Sequence, residues 1–155
     1  MEQHKQRISL RFNEKAPVKG ELRLRIYRKG RLMEVWEDEN LVVDAGRSVM
    51  AKLIGGQAGL NVNRVAFGTN ATDPAPGDTA IQNAFIKPIS AVSYPTATQV
   101  RFDFTLLESE ANGLSIREFG LLCANGTLFA RRTRGGKTID KDSDLAIEGQ
   151  WTIFF

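Results

Sequence analysis

The sequence is poor in the residues that build covalent and metal-based chemistry. Among 155 residues there is one cysteine, Cys123, and one histidine, His4. A lone cysteine excludes an intrachain disulfide and a cysteine cage for zinc, and a single histidine leaves a zinc centre or a His-dependent nucleophile triad without its parts. No apolar run nears the roughly 20 residues of a membrane helix. The start, Met1-Glu2-Gln3-His4-Lys5-Gln6-Arg7, lacks the apolar stretch of a signal peptide, so synthesis in the cytosol is expected. Stacking aromatics are few, with two Trp and two Tyr. The remainder, 42% hydrophobic and 25% charged, excludes disorder, collagen and coiled coil. It is enough chain for one domain, burying roughly 68–70% of the surface an unfolded chain exposes.

The formal net charge of +3 conceals a segregation. Residues 1–31 hold ten Lys/Arg against three Asp/Glu, whereas residues 32–155 hold eleven bases and fifteen acids. A basic end of this kind suits a nucleic-acid arm, or an element that docks on an acidic neighbour.

Period-two alternation dominates the chain. Ile8, Leu10 and Phe12 alternate with Arg7, Ser9 and Arg11, and Leu22, Leu24 and Ile26 with Arg23, Arg25 and Tyr27, which predicts half-buried strands with basic outer faces. Residues 28–31 turn into the acidic strand of Glu34 and Glu37, so 21–37 reads as a hairpin whose arginines can pair across strands. A helix is expected over 45–54, capped by Asp44 and ended by Gly55-Gly56. A strand at 64–67 and a Gly/Pro loop at 68–77 follow, then a second short helix over 78–85 with Asp78 or Thr79 as its cap. Strands are predicted at 86–94, 99–107, 115–123, 127–133 and 145–155, with turns at Asn112-Gly113 and Asn125-Gly126. The expected fold is mainly β: an antiparallel β-sandwich over residues 40–155 with one or two short helices, preceded by a basic strand-and-hairpin arm over 1–39.

Several motifs imitate chemical sites. Gly135-Gly136-Lys137-Thr138 resembles the end of a phosphate loop, but its leading glycine position is Arg131 and no apolar-faced helix follows, so a flexible turn is expected. Asp140, Asp142 and Asp144 open like a calcium loop, yet the turn glycine and bidentate glutamate positions are Leu145 and Trp151; an irregular cation site or a solvated turn is left. Glu108 and Glu110, and the cluster Glu37-Asp38-Glu39, sit in polar surroundings that keep carboxylates ionised rather than splitting them into acid and base. Cys123 closes an apolar run, the setting of a buried structural thiol. Gly120 is expected to permit close backbone or aromatic packing beside Phe119. Trp151, Ile153 and Phe155 alternate with Thr152 and Phe154, giving the last strand apolar side chains on both faces, as a strand buried by a partner or central to a sandwich requires.

Four ordered pieces resemble a known group. They are Asn40-Leu41-Val42-Val43-Asp44-Ala45-Gly46; Val65-Ala66-Phe67-Gly68-Thr69-Asn70 with Pro74 to Ile81; Ile116-Arg117-Glu118-Phe119-Gly120-Leu121-Leu122 running into 125–131; and Ile139-Asp140-Lys141 before 145–153. Over residues 40–155 the order resembles small virion proteins of tailed bacteriophages and phage-tail-like particles, of the tail-fibre, collar and baseplate-attachment kind. Such proteins often read Glu-Ile-Gly-Leu-Phe where this chain has Glu118-Phe119-Gly120-Leu121-Leu122. The resemblance implies a non-enzymatic structural subunit of the virion, without cofactor or metal, that assembles with itself as a trimer or ring and with other virion proteins. The residues expected to dock on partners are Arg7, Arg11, Arg23, Arg25, Arg28, Arg31, Trp151, Ile153 and Phe155. A nucleic-acid-binding module that uses the same arginines is the alternative.

Overall fold

The computed structural model describes residues 18–155. The expected strand at 7–12, and with it Arg7 and Arg11, lies outside the described residues. Eleven strands and one helix follow in the order β1 (Lys19–Arg28), β2 (Arg31–Val42), α1 (Asp44–Ile54), β3 (Val62–Gly68), β4 (Phe85–Pro88), β5 (Ala91–Ser93), β6 (Gln99–Leu106), β7 (Ser115–Ile116), β8 (Glu118–Cys123), β9 (Leu128–Thr133), β10 (Ile139–Asp140) and β11 (Leu145–Phe154). Nine strands make one antiparallel sheet in the order β4-β3-β8-β9-β2-β1-β11-β6-β5, while β10 and β7 form a separate pair. The protein is mainly β, as its alternation predicts.

The sheet curls into two facing layers, and two segments of chain make the turns. One is β2, whose residues 31–40 pair with β1 while Leu41 and Val42 pair with Arg131 and Ala130 of β9. The other is residues 85–93, where β4 pairs with β3 and β5 pairs with β6. Between them Ile89 donates its N–H to Asn63 O at 3.0 Å and Ser90 donates to Asp103 O at 2.8 Å. The strand expected over 86–94 is thus split, because its two halves belong to opposite layers. Phe67 of β3 meets Phe104 of β6 edge to face at 5.8 Å, and Phe119 of β8 at 5.9 Å, so the layers close on an aromatic centre.

The hairpin of residues 19–42 is built into this sheet. β1 runs between β2 and β11, and Leu22, Leu24 and Ile26 are buried in the same core as Phe104, Ile147 and Trp151. The boundary expected at residue 39 falls within β2, because the apolar face of β1 is covered by the body of the sandwich.

Helix α1 begins without a side-chain cap; Asp44 is its first residue, and its N–H donates to Pro76 O at 2.8 Å. The C-terminus ends as the sequence predicts, with the left-handed residue at Gly56: Gly56 N–H bonds Leu53 O and Gln57 N–H bonds Lys52 O. The second helix expected over 78–85 does not form. Asp78 instead accepts from Ala75 N–H at 2.9 Å, and Ile81 leaves the local chain to pack on the sheet.

Ile81 explains Gly68 and Gly120. An added Cβ at Gly120 would lie 2.7 Å from Ile81 Cγ1, and one at Gly68 would overlap Ile81 and come within 2.7 Å of Gln82 O. The gap beside Phe119 therefore seats a loop side chain, not an aromatic ring. With this cover, β8 is buried on both faces. Gly68→Ala should force the loop off its seat and cost about 1–3 kcal/mol in urea unfolding, a loss not expected for Gly77→Ala, where a Cβ meets open space.

Candidate functional site

The alternation that placed arginines on outer faces also placed carboxylates near them. Arg23 Nε lies 3.0 Å from Glu37 Oε1, directly opposite in register, and Arg28 Nη1 lies 3.0 Å from Asp142 Oδ2. Arg25 is opposite Val35 on β2 and Glu148 on β11 and is exposed, as is Arg31 at the turn. Glu34 and Asp38 point to the other side of β2 and pair with Arg134, just after β9, and Arg132, within it. Arg134 also lies over the Trp36 ring, 5.4 Å from its centroid. The acidic strand is thus balanced by β9 as well as by β1, and of the arginines expected to meet phosphates Arg23 and Arg28 have carboxylate partners within the chain.

Trp151 and Ile153 are fully buried between β1 and β6. They serve this subunit's own core and offer a partner no surface. Of that strand's candidates only Phe155 is accessible, at 60% exposure. The alternation that suggested a partner-covered strand is that of a strand central to the sandwich.

The charged cluster that sequence reasoning missed is internal. Arg131 on β9 donates from Nε to Glu118 Oε1 at 2.8 Å and from Nη1 to Asp78 Oδ2 at 2.9 Å. Its Nη2 donates to the carbonyls of Asn70 at 3.1 Å and Thr72 at 2.9 Å. Glu118 Oε2 accepts the Asn70 and Gln82 N–H groups at 2.6 and 3.1 Å. Both charges are buried, and the network spends its donors and acceptors on the 69–84 loop. It is a fastening for that loop. The signal in the sequence was a charge at each end of otherwise apolar runs, Glu118 before Phe119-Gly120-Leu121-Leu122 and Arg131 after Leu128-Phe129-Ala130.

The remaining candidates resolve into structural roles. Asp142 accepts from Arg28 and from Asp144 N–H, which hold its carboxyl below the ordinary range. Asp140 accepts from Ser115 Oγ at 3.2 Å. Among the described residues no group of three His, Cys, Asp or Glu converges as metal ligands would. Gly135 and Gly136 both take positive φ in a turn. Glu110 accepts from Lys87 Nζ at 2.6 Å and from Leu107 N–H at 2.9 Å. Burial pushes its pKa up, but the Lys87 bond, the Leu107 N–H and the charges of Lys87 and Lys141 outweigh it, leaving the pKa below the ordinary value. Cys123 is buried, and burial pushes its thiol up to about 11, so it stays protonated at neutral pH.

Two exposed apolar surfaces lie at opposite ends of β1 and β11. At one end, where Lys19 pairs with Phe154, an open groove of about 540 Å³ runs between the two layers. One wall carries Met50, Leu53 and Val62, the other Val92, Val100 and Phe155. At the other end, where Arg28 pairs with Leu145, the hairpin exposes Leu32, Met33 and Val35 beside Lys29 and Arg31.

No family model, curated protein or solved structure matches the chain.

Replacing Arg131 by Met strands Glu118 in the interior and should cost about 3–5 kcal/mol in chemical denaturation, whereas the double change Arg131→Met with Glu118→Leu should recover part of that loss. Because the folded pKa of Glu110 is depressed, its contribution is complete above the unfolded value of about 4.3 and is lost as pH falls through the lower folded value. Thermal melts between neutral and acid pH should show a shallower fall for Glu110→Gln than for the parent, from a lower starting point.

Proposed function

We propose that the protein is a non-enzymatic structural subunit of a phage or phage-tail-like particle, working at its tail, baseplate, collar or neck by oligomeric assembly and docking on other virion proteins. The observation that carries the proposal is the hairpin end. Leu32, Met33 and Val35 are 51%, 64% and 47% exposed on adjoining positions, and the flanking bases Lys29 and Arg31 are exposed with them. An apolar centre with exposed charge at its rim is the composition of a surface that meets another protein. The rigidity behind it comes from the sheet: the turn is tied to the body through Lys29 N–H to Asp144 O at 2.8 Å and through the Arg28–Asp142 pair.

The pieces that resemble virion proteins support the same reading. Asp44, Asn70, Asp78, Ile81, Glu118, Gly120 and Arg131 come from different pieces and meet around the 69–84 loop. Oligomers of this subunit would join through side-chain faces, since the edge strands β4 and β5 have only four and three residues.

The nucleic-acid reading draws less from the geometry. Arg23, Arg28, Arg132 and Arg134 already face carboxylates, and Glu34, Glu37 and Asp38 would repel a phosphate backbone approaching the same hairpin.

Light scattering should find the parent protein as a trimer or ring, and Leu32→Ser with Met33→Ser should shift it towards monomer without lowering its melting temperature by more than a few degrees. A monomeric parent across the micromolar range, combined with normal particle assembly by the double variant, would remove the proposal. A salt titration with duplex and single-stranded DNA separates the alternative: binding that weakens steeply with salt would favour it.

A further inference from the structure

The sheet is continuous across β2 only at one end of that strand. β2 pairs with β1 from Arg31 to Asn40, but on its other edge Leu41 and Val42 alone pair with β9. From Asn40 back to the hairpin turn the two layers part, and among the described residues no strand lies against that edge. Side chains cross the seam instead. Arg132 reaches Asp38, Arg134 reaches Glu34, and Trp36 meets Phe119 with ring centroids 6.3 Å apart.

Register decides which main-chain groups face the seam. Glu39 sits opposite Glu21, yet its N–H donates to Asp38 Oδ1 at 2.8 Å and not to β1. Pairs in an antiparallel ladder alternate between exchanging hydrogen bonds and facing away from each other. Glu37 opposite Arg23 and Val35 opposite Arg25 therefore turn their N–H and C=O groups outward as Glu39 does. Leu41 continues the same alternation, and there β9 takes up the edge.

We propose that the open edge of β2 around Val35 and Glu37 takes an extended segment of another protein as an added strand, with lysine or arginine at alternate positions beside the acids of β2. The proposal rests on the reading of this hairpin as a docking element and names the kind of segment it docks. Edge strands are ordinarily guarded by lysine, proline or short length. From Leu32 to Glu39 the strand has neither lysine nor proline, and Val35 is 47% exposed.

The seam also holds donors without acceptors. Arg132 Nε and Arg134 Nε are buried and have no hydrogen-bond partner among the described residues. Buried polar groups are ordinarily paired, and a strand laid along β2 brings main-chain carbonyls to this seam. Charge selects the rest of the occupant. The stretch carries Glu34, Glu37, Asp38 and Glu39 without a base. Arg134, Arg23 and Arg132 meet three of them, whereas Glu39 stands opposite Glu21, both exposed and without a basic partner among the described residues. Like charges directly opposite each other are unfavourable, so a second copy of this edge would add acids to acids, and a segment with bases on one face relieves them.

Peptide titration tests this on the full chain. The probe is a capped hexapeptide that alternates lysine with valine. One companion has every backbone amide N-methylated, and another has glutamate in place of lysine. The lysine peptide should bind and slow hydrogen exchange at the Val35 and Glu37 amides several-fold, with the glutamate peptide weaker by about tenfold. Val35→Pro should abolish binding while the melt stays cooperative, because the N–H it removes serves no bond to β1. The N-methylated peptide should fail on the parent protein, which tests the same point without a substitution. No binding of the lysine peptide, or equal binding by the N-methylated peptide or the folded proline variant, would overturn the inference. So would Val35 and Glu37 amides that exchange as slowly in the protein alone as those of buried Leu24. Leu32→Ser with Met33→Ser leaves Val35 and Glu37 in place, so the two readings fail separately. A monomeric parent that binds the peptide, with normal particle assembly by that variant, removes only the assembly reading; oligomers that ignore the peptide remove only this one.

Discussion

The Arg131–Glu118 pair is the constraint on which the outer layer of the sandwich depends. Two buried charges each carry a desolvation penalty of several kcal/mol, offset only when their remaining donors and acceptors are also met. Here they are met by one loop, through Asp78, the carbonyls of Asn70 and Thr72, and the N–H groups of Asn70 and Gln82. A connection from Thr69 to Ala84 without helix or strand is longer than compact domains usually contain. It is ordered because leaving it would uncover both charges. Once held, it brings Ile81 onto Ala66, Leu122 and Leu128, and a sheet that would otherwise need a water-tolerant outer face becomes apolar on both sides.

The same loop sets the entry of the helix. Asp44 N–H donates to Pro76 O while Val43 N–H donates to Phe129 O, so the turn out of β2 is held between loop and β9. That turn is also where β2 passes from one layer to the other. Closure at residues 40–43 and closure at 85–93 are therefore two ends of one arrangement: the first needs the loop, and the second follows the loop in the chain. The hairpin of β1 and β2 sits between these closures, which is why it is part of the body although its composition looked like that of an appendage.

Much of this was legible in single stretches of sequence. Alternation in Leu22–Ile26 and Val100–Leu106 gave strands with the right inner faces, Asn125-Gly126 gave the β8–β9 hairpin with Gly126 at positive φ, and Gly55-Gly56 marked the end of the helix. What was not legible depends on residues far apart. A helix over 78–85 is a reasonable local preference, but Asp78 and Ile81 have partners on β8 and β9, about forty and fifty positions away, and these override it. Trp151 and Ile153 look alike whether a partner or a neighbouring strand covers them, because period two reports which side is apolar and not what lies over it. Arg131 and Glu118 were visible as charges within apolar runs, yet only the pairing of β8 with β9 brings them together.

The charge segregation changes meaning on the same grounds. Of the bases in residues 1–31, six lie between Lys19 and Arg31, with Glu21 the one acid among them. Arg23 faces Glu37 on β2 and Arg28 faces Asp142 in the turn before β11, so their charge is cancelled where it stands. Exposed pairs of this kind add little to stability, but they remove bases from the outer face of the sheet. Of the other four, Lys19, Arg25, Lys29 and Arg31, the last two stand next to Leu32 and Met33. Among the described residues, charge and exposed apolar area coincide at that turn. A highly charged polymer such as nucleic acid gains from many bases spread along a face, whereas a folded partner gains from a compact apolar centre with a few charges that fix its approach. The exposed Leu32, Met33 and Val35 beside Lys29 and Arg31 are the features on which the proposed docking rests.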